Sequence, residues 1–178
     1  MRKGFTLIEL LIVIGILAIL AAVVVLTLNP AQLLAQARDS QRISDLGSVK
    51  SAVSLYLATA TSTNIPATDK ISTNSTTCWF GSGCNTACTK VTTSTAIDGT
   101  GWVPIDLTKT SGGSPLSALP LDPTNDATYH YAYAGDATAK TIELNAILES
   151  TKYSSMMQSD GGNCANVYEV GTQPGLNL

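Results

Sequence analysis

The feature that most constrains this chain is an apolar run close to its start. Between Phe5 and Leu28 the only ionisable side chain is Glu9, and from Leu10 to Leu28 only Gly15 and Thr27 interrupt the aliphatic residues. As an α-helix, those 24 residues would extend about 36 Å, enough to cross a hydrocarbon core of roughly 30 Å. Arg2 and Lys3 precede the run. By the positive-inside rule they predict a cytoplasmic N-terminus with the remainder outside. A cleaved secretory signal has a shorter apolar region, about 7–15 residues, ending at a small-residue cleavage site. The nearest such site, Ala35-Gln36-Ala37, lies well past the end of this run. A run this long and this apolar also argues against a buried core helix.

Glu9 separates a plain anchor from something more specific. An acid within a spanning helix costs about 2.5–3.5 kcal/mol on insertion scales, and an anchor gains nothing from it. Its carboxylate needs a cation, yet no basic side chain follows until Arg38. Cleavage after Gly4 would create one, because Phe5 would then carry a free α-amino group. That amine lies four residues before Glu9, on the same helical face. Amine and carboxylate on neighbouring, staggered helices could then neutralise each other.

The segment Gly4-Phe5-Thr6-Leu7-Ile8-Glu9 resembles the prepilin processing motif of type IV pilins and type II secretion pseudopilins. The resemblance implies that a membrane aspartyl protease, the prepilin peptidase and methyltransferase, cuts after Gly4 and methylates Phe5. It implies that Glu9 acts in assembly. The implied fold is α+β, a long N-terminal helix packed on a small antiparallel sheet. The expected organisation is a leader at 1–4, a transmembrane and polymerisation helix at 5–28, an amphipathic helix at 29–60 and a globular head at 61–178. The implied function is structural and non-enzymatic: a subunit of a type IV pilus-like filament (fimbrium) or of a type II secretion pseudopilus. The implied partners are copies of the same chain, membrane lipid before assembly, an inner-membrane assembly platform and a cytoplasmic ATPase. The implied location is the cytoplasmic membrane, single-pass with the head outside, and then a periplasmic or extracellular filament.

Beyond the run, Pro30 would clash with the carbonyl of Leu26 in a continuous helix and remove its hydrogen bond, at a cost of about 3 kcal/mol. A gentle kink, or a local melt between Gly15 and Pro30, is therefore expected. The pattern then turns amphipathic: Leu34, Ala37, Ile43, Leu46, Val49, Val53, Tyr56 and Ala60 recur at spacings of three or four with one gap. This stripe should pack on the sheet. Arg38, Asp39, Arg42 and Asp45 lie between, and are read either as a solvated face or as pairs between subunits. The segment Ala37-Arg38-Asp39-Ser40-Gln41-Arg42 also resembles the same helix of bacterial pseudopilins.

Past Ala60 the chain is acidic, with ten carboxylates against five lysines, which argues against a nucleic-acid surface built on net charge. Ser/Thr-rich stretches from 59 to 95 read as one long loop. Cys78, Cys84, Cys88 and Cys164 are disulfide candidates, and four cysteines allow three pairings. Expected strands are 102–106, weakened by Pro104, then 129–133, 141–147 and 166–170, with Gly135-Asp136 as a turn. Leu119-Pro120-Leu121-Asp122-Pro123 resembles a stretch of the major pseudopilins that precedes their first strands.

No catalytic or metal residue is assigned. The single histidine, His130, sits among tyrosines and reads as structural. Cys78, Cys84 and Cys88 could be imagined as zinc ligands, but outside the membrane disulfides are favoured. No Gly-x-Ser-x-Gly nucleophile context and no phosphate loop is present. No cofactor is expected. Calcium is the one metal the pseudopilin resemblance raises, with Asp160 and Asn163 as oxygen donors beside Gly161-Gly162, although Asp-Gly-Gly is also a good turn. Asn74-Ser75-Thr76 is a glycosylation sequon.

Overall fold

The computed structural model describes residues 4–74, 77–80, 84, 86–88 and 90–178. Arg2, Lys3 and the last two residues of the sequon lie outside them. The chain divides into two compact units, Met1–Ala35 and Gln36–Leu178.

In the first unit, α1 runs from Leu7 to Leu28 without interruption, so the backbone stays helical across Gly15. Thr6 caps its start. The break falls at Asn29, which takes left-handed angles (φ 41°, ψ 78°). A residue before proline is pushed out of the right-handed helical region, and asparagine tolerates the left-handed one. Pro30 then opens α2, Pro30–Thr59, at the one helical position where a missing N–H costs nothing. The Asn29 carbonyl accepts from the main-chain N–H of Gln32 (2.9 Å) and Leu33 (3.3 Å), so one residue ends the first helix and starts the second.

The second unit is the α+β arrangement expected. Its central sheet has the order β4-β1-β5-β6-β7. The strands are β1 Lys70–Ile71, β4 Lys90–Val91, β5 Ala132–Asp136, β6 Thr141–Ala146 and β7 Tyr168–Gly171. All pairings are antiparallel except β1 with β4. A second ladder joins β2 Thr77–Cys78 to β3 Thr86–Ala87. The side-chain alternation of β5 and β6 makes two cores. On one face Tyr131, Tyr133, Ile142, Leu144 and Ala146 pack with Leu46, Val49, Ala52, Val53 and Tyr56 of α2 and with Trp102, Val103, Ile105 and Leu107. On the other face Ala132 and Ala134 pack with Ile71, Cys78, Trp79, Phe80, Cys88, Cys164 and Val167. The sheet is thus a middle layer between α2 and a cystine-bearing layer.

Several expectations change. Residues 102–106 form no strand: Trp102, Val103 and Ile105 enter the core from bends, and the only ladder contact there is a bridge between Asp98 and Asp106. Pro104 lacks the donor a ladder needs. The second expected strand, 129–133, starts later, at Ala132, so His130 precedes it. Gly135 and Asp136 belong to β5, and the turn follows at 137–140. Asp136 still shapes that turn, because its carboxylate accepts from the N–H of Thr138 (2.6 Å) and Ala139 (3.0 Å). The Ser/Thr-rich stretch read as loop contains β1 to β4.

Candidate functional site

The N-terminal site is built on the first turn of α1. Thr6 and Glu9 form a reciprocal capping box. The Glu9 carboxylate accepts from the main-chain N–H of Thr6 (2.8 Å) and from its hydroxyl (2.7 Å), and the Thr6 hydroxyl accepts from the N–H of Glu9 (3.3 Å). Every atom in this box lies beyond Phe5, so a cut after Gly4 would leave it whole. Phe5 is exposed, and the position of a Cβ on Gly4 is open space, which leaves the Gly4–Phe5 bond accessible. The Thr6-x-x-Glu9 spacing carried the cap in the sequence, where Glu9 was read only as a partner for an amine. Among the described residues no ion pair reaches Glu9.

Along α1 the aliphatic side chains from Leu7 to Val25 are exposed, Ile12, Leu17 and Ile19 among them. Leu7–Val25 has a mean hydropathy of 3.1, none of it buried, and is long and apolar enough to cross a membrane. Such a surface is unstable in water. At about 25 cal/mol per Å² of apolar area, it demands lipid or protein contact.

Residues 1–25 match the family model described as the prokaryotic N-terminal methylation motif. The chain bears the signature of type IV pilins and pseudopilins. No curated protein and no solved structure matches it. The match covers Gly4, Phe5, Glu9 and most of α1, so the motif and the exposed apolar helix coincide. Beyond residue 25 the structure alone describes the chain.

In the head the charges of α2 turn inward, contrary to the expected solvated or intersubunit face. Asp39 and Arg42 are fully buried and occupy the gap in the apolar stripe between Ala37 and Ile43. The Arg42 guanidinium grips Asp122 with Nε (2.6 Å) and Nη2 (2.9 Å) and donates from Nη1 to Asp39 (2.9 Å) and Glu149 (2.5 Å). Its Cζ lies 4.8 Å from the Tyr129 ring centre. Arg38 forks onto Glu149 at 2.9 and 2.5 Å. Asp39 also accepts from the N–H groups of Glu149 (2.9 Å) and Ser150 (2.7 Å). Burial opposes the charge on Arg42, but the hydrogen bonds and charge of Asp122, with Glu149 and Asp39, outweigh it and raise its pKa. Glu149 is held below the usual carboxylate range, first by its hydrogen bond from Arg38. Asp45 goes the other way: burial raises it, while the Tyr131 hydroxyl donates to it at 2.8 Å. Asp122 belongs to the Leu-Pro-Leu-Asp-Pro stretch, whose place in the fold this explains. Leu119 is core, the Pro120 carbonyl accepts from the Trp102 indole (2.9 Å), and Asp122 anchors α2.

The remaining candidates resolve into structural roles. His130 is buried and stacks on Trp79 at 4.3 Å, with Nδ1 3.1 Å from the Asp126 carbonyl and Nε2 3.0 Å from that of Thr77. Burial lowers its pKa. Neither ring contact reaches a side-chain nucleophile or acid. Asp160 is committed to main-chain donors, accepting from Gly162 (3.0 Å) and Glu169 (2.8 Å). Among the described residues no group of three or more His, Cys, Asp or Glu side chains is gathered to hold a metal. The nearby Glu143 and Glu169 are both buried. Burial, reinforced by the charges of Glu143 and Asp160, pushes Glu169 up to about 8. The cysteines pair as Cys78–Cys88 and Cys84–Cys164.

Proposed function

We propose that this chain is a structural subunit of a type IV pilus-like filament or of a type II secretion pseudopilus. It is cut after Gly4, N-methylated at Phe5, and assembles by packing α1 against α1 of other copies. The observation that carries the reading is an apolar helix of membrane-spanning length, wholly exposed, whose single charge sits at the position where processing would place an amine four residues away. Leader, junction and acid lie within the methylation motif. Before assembly the helix resides in the membrane, single-pass, with the head outside. Afterwards other copies replace lipid around it, in a periplasmic or extracellular filament.

In this reading the prepilin peptidase and methyltransferase act on residues 1–5, the inner-membrane platform receives the processed chain, and a cytoplasmic ATPase supplies the mechanical work. The head needs no nucleotide or cofactor site for such a role. Intact-mass measurement of the protein from the assembled form tests it. The expected mass lacks residues 1–4, carries one methyl group and is reduced by the hydrogens lost to two disulfides. Recovery of the assembled form with Met1 to Gly4 still attached would overturn the reading.

A further inference from the structure

The disulfides interleave. Cys84 lies inside the Cys78–Cys88 loop, yet its partner is Cys164, 80 residues away. Cys78 is only six residues from Cys84, and Cys88 only four. Loop-closure probability falls roughly as the three-halves power of separation, so Cys78 meets Cys84 about fifty times as often as Cys164 does. Summed over the possible first bonds, closure alone leads to the observed pairing in about one molecule in seven.

Folding does little to correct this bias. Cys78, Cys88 and Cys164 are buried in one cluster, with Cys84 packed against it. The layer that holds Cys164 therefore also holds Cys78 and Cys88. A molecule with Cys78–Cys84 and Cys88–Cys164 bonds would join the same four residues of that cluster in another order. It would also be unable to repair itself. The chain has four cysteines and no others, so a fully oxidised wrong isomer holds no thiolate, and exchange requires one.

We infer that most copies of this chain reach the Cys78–Cys88, Cys84–Cys164 form through an external thiol, and that maturation includes a thiol–disulfide isomerase as a partner. In the exchange, the partner's thiolate attacks the sulfur of Cys84 in a Cys78–Cys84 bond. A mixed disulfide forms and the thiolate of Cys78 leaves. That thiolate attacks the Cys88 sulfur of a Cys88–Cys164 bond and releases the thiolate of Cys164. The latter attacks Cys84 in the mixed disulfide and expels the partner's thiolate unchanged. No net oxidation occurs. An oxidant of the disulfide or quinone class is needed only earlier, to remove two electrons and two protons for each original bond. The site of attack is accessible, because Cys84 is only half-buried whereas Cys78 and Cys164 are fully buried.

The test uses the full-length chain in detergent micelles, reduced, unfolded and returned to folding conditions. One portion is oxidised with diamide and no thiol, another in a buffer of reduced and oxidised glutathione. Fragmentation mass spectrometry reads the pairing. Without thiol the observed pairing should make up about one seventh of the monomer, and the glutathione buffer should raise it to the majority form, more than about threefold. Predominance of the observed pairing in diamide alone overturns the inference. A C78A/C88A variant removes the short-range competitors, and its Cys84–Cys164 bond should form equally well with and without thiol. If that bond still needs thiol, competition is not the obstacle and the inference fails. This holds even if the variant does not fold, since only one intramolecular bond remains available.

Discussion

The two helices dispose of charge in opposite ways. In α1 the aliphatic side chains from Leu7 to Val25 are exposed and one carboxylate caps the first turn. In the part of α2 that belongs to the head, the charged side chains Asp39 and Arg42 are buried, while the exposed positions are Ala37, Ser40, Gln41, Ser44, Ser48, Ser51, Ser54, Leu55 and Ala58. The head solves its electrostatics internally: Arg42 has three acids from its own chain around it. Nothing among the described residues covers α1 or supplies Glu9 with a cation. One helix is complete within the monomer, and the other is complete only with a second molecule or a bilayer. Experiments that strip one helix of its charge should therefore damage different things.

The largest effect on folding is expected from Arg42→Ala. It leaves Asp39, Asp122 and part of Glu149 buried against an absent guanidinium, and breaking a buried pair in this way costs about 3–5 kcal/mol. Denaturant unfolding of the full chain in micelles, followed by Trp79 and Trp102 fluorescence, measures it. Arg42→Lys should lie between wild type and alanine, since an ammonium cannot reproduce the two-pronged grip on Asp122. An alanine variant as stable as wild type would show that the inward charges are incidental.

Acid should weaken the same cluster more gently. The Arg38 and Arg42 hydrogen bonds hold Glu149 below its ordinary value of 4.5. The unfolded chain therefore takes up a proton at Glu149 before the folded one does. The stability this contributes is present above about 4.5 and lost as pH falls through the lower, folded value. Melting temperatures between pH 7 and pH 3 should fall less steeply for Glu149→Gln than for wild type. Identical slopes would remove Glu149 from the account.

These contrasts also explain what could be read in advance. The spanning helix was legible because nothing but length and composition was needed. Of the stripe expected to pack on the sheet, Leu46, Val49, Val53, Tyr56 and Ala60 do so, whereas Leu34 and Ala37, which the same spacing assigned to it, are exposed. The inward turn of Asp39 and Arg42 was not, because periodicity assigns charged residues to water, and the residue that reverses this, Asp122, is 80 positions away. β1 and β4 have two residues each, too few for alternation to show, and they lie in a Ser/Thr-rich stretch. Cys84–Cys164 pairing depends on a layer that forms only on the folded sheet. Thr6 was missed for a different reason: its capping spacing was present, but Glu9 had already been given another role.

Thr6→Ala should cost about 1 kcal/mol, the usual value of an N-cap, confined to the first turn of α1. Amide exchange at Glu9 should accelerate while the core amides of Leu144 and Tyr133 keep their protection. Loss of protection in the head would mean that the two units are not energetically separate.

The smallest effect on the fold belongs to Glu9→Leu. Glu9 is exposed and among the described residues hydrogen-bonds only with Thr6, so unfolding of the head should change by no more than about 0.5 kcal/mol. Insertion should even improve, since a carboxylate is removed from the apolar run. If Glu9 served only as half of a cap, filament yield would follow that improvement or stay level. The proposed pairing with a cationic Phe5 amine predicts the reverse: a chain that folds, inserts and is cut after Gly4, yet fails to enter filaments. Counting sheared filaments against membrane-resident subunit separates the two, because a folding or insertion defect would empty the membrane pool as well, whereas loss of a partner for the amine would leave that pool full.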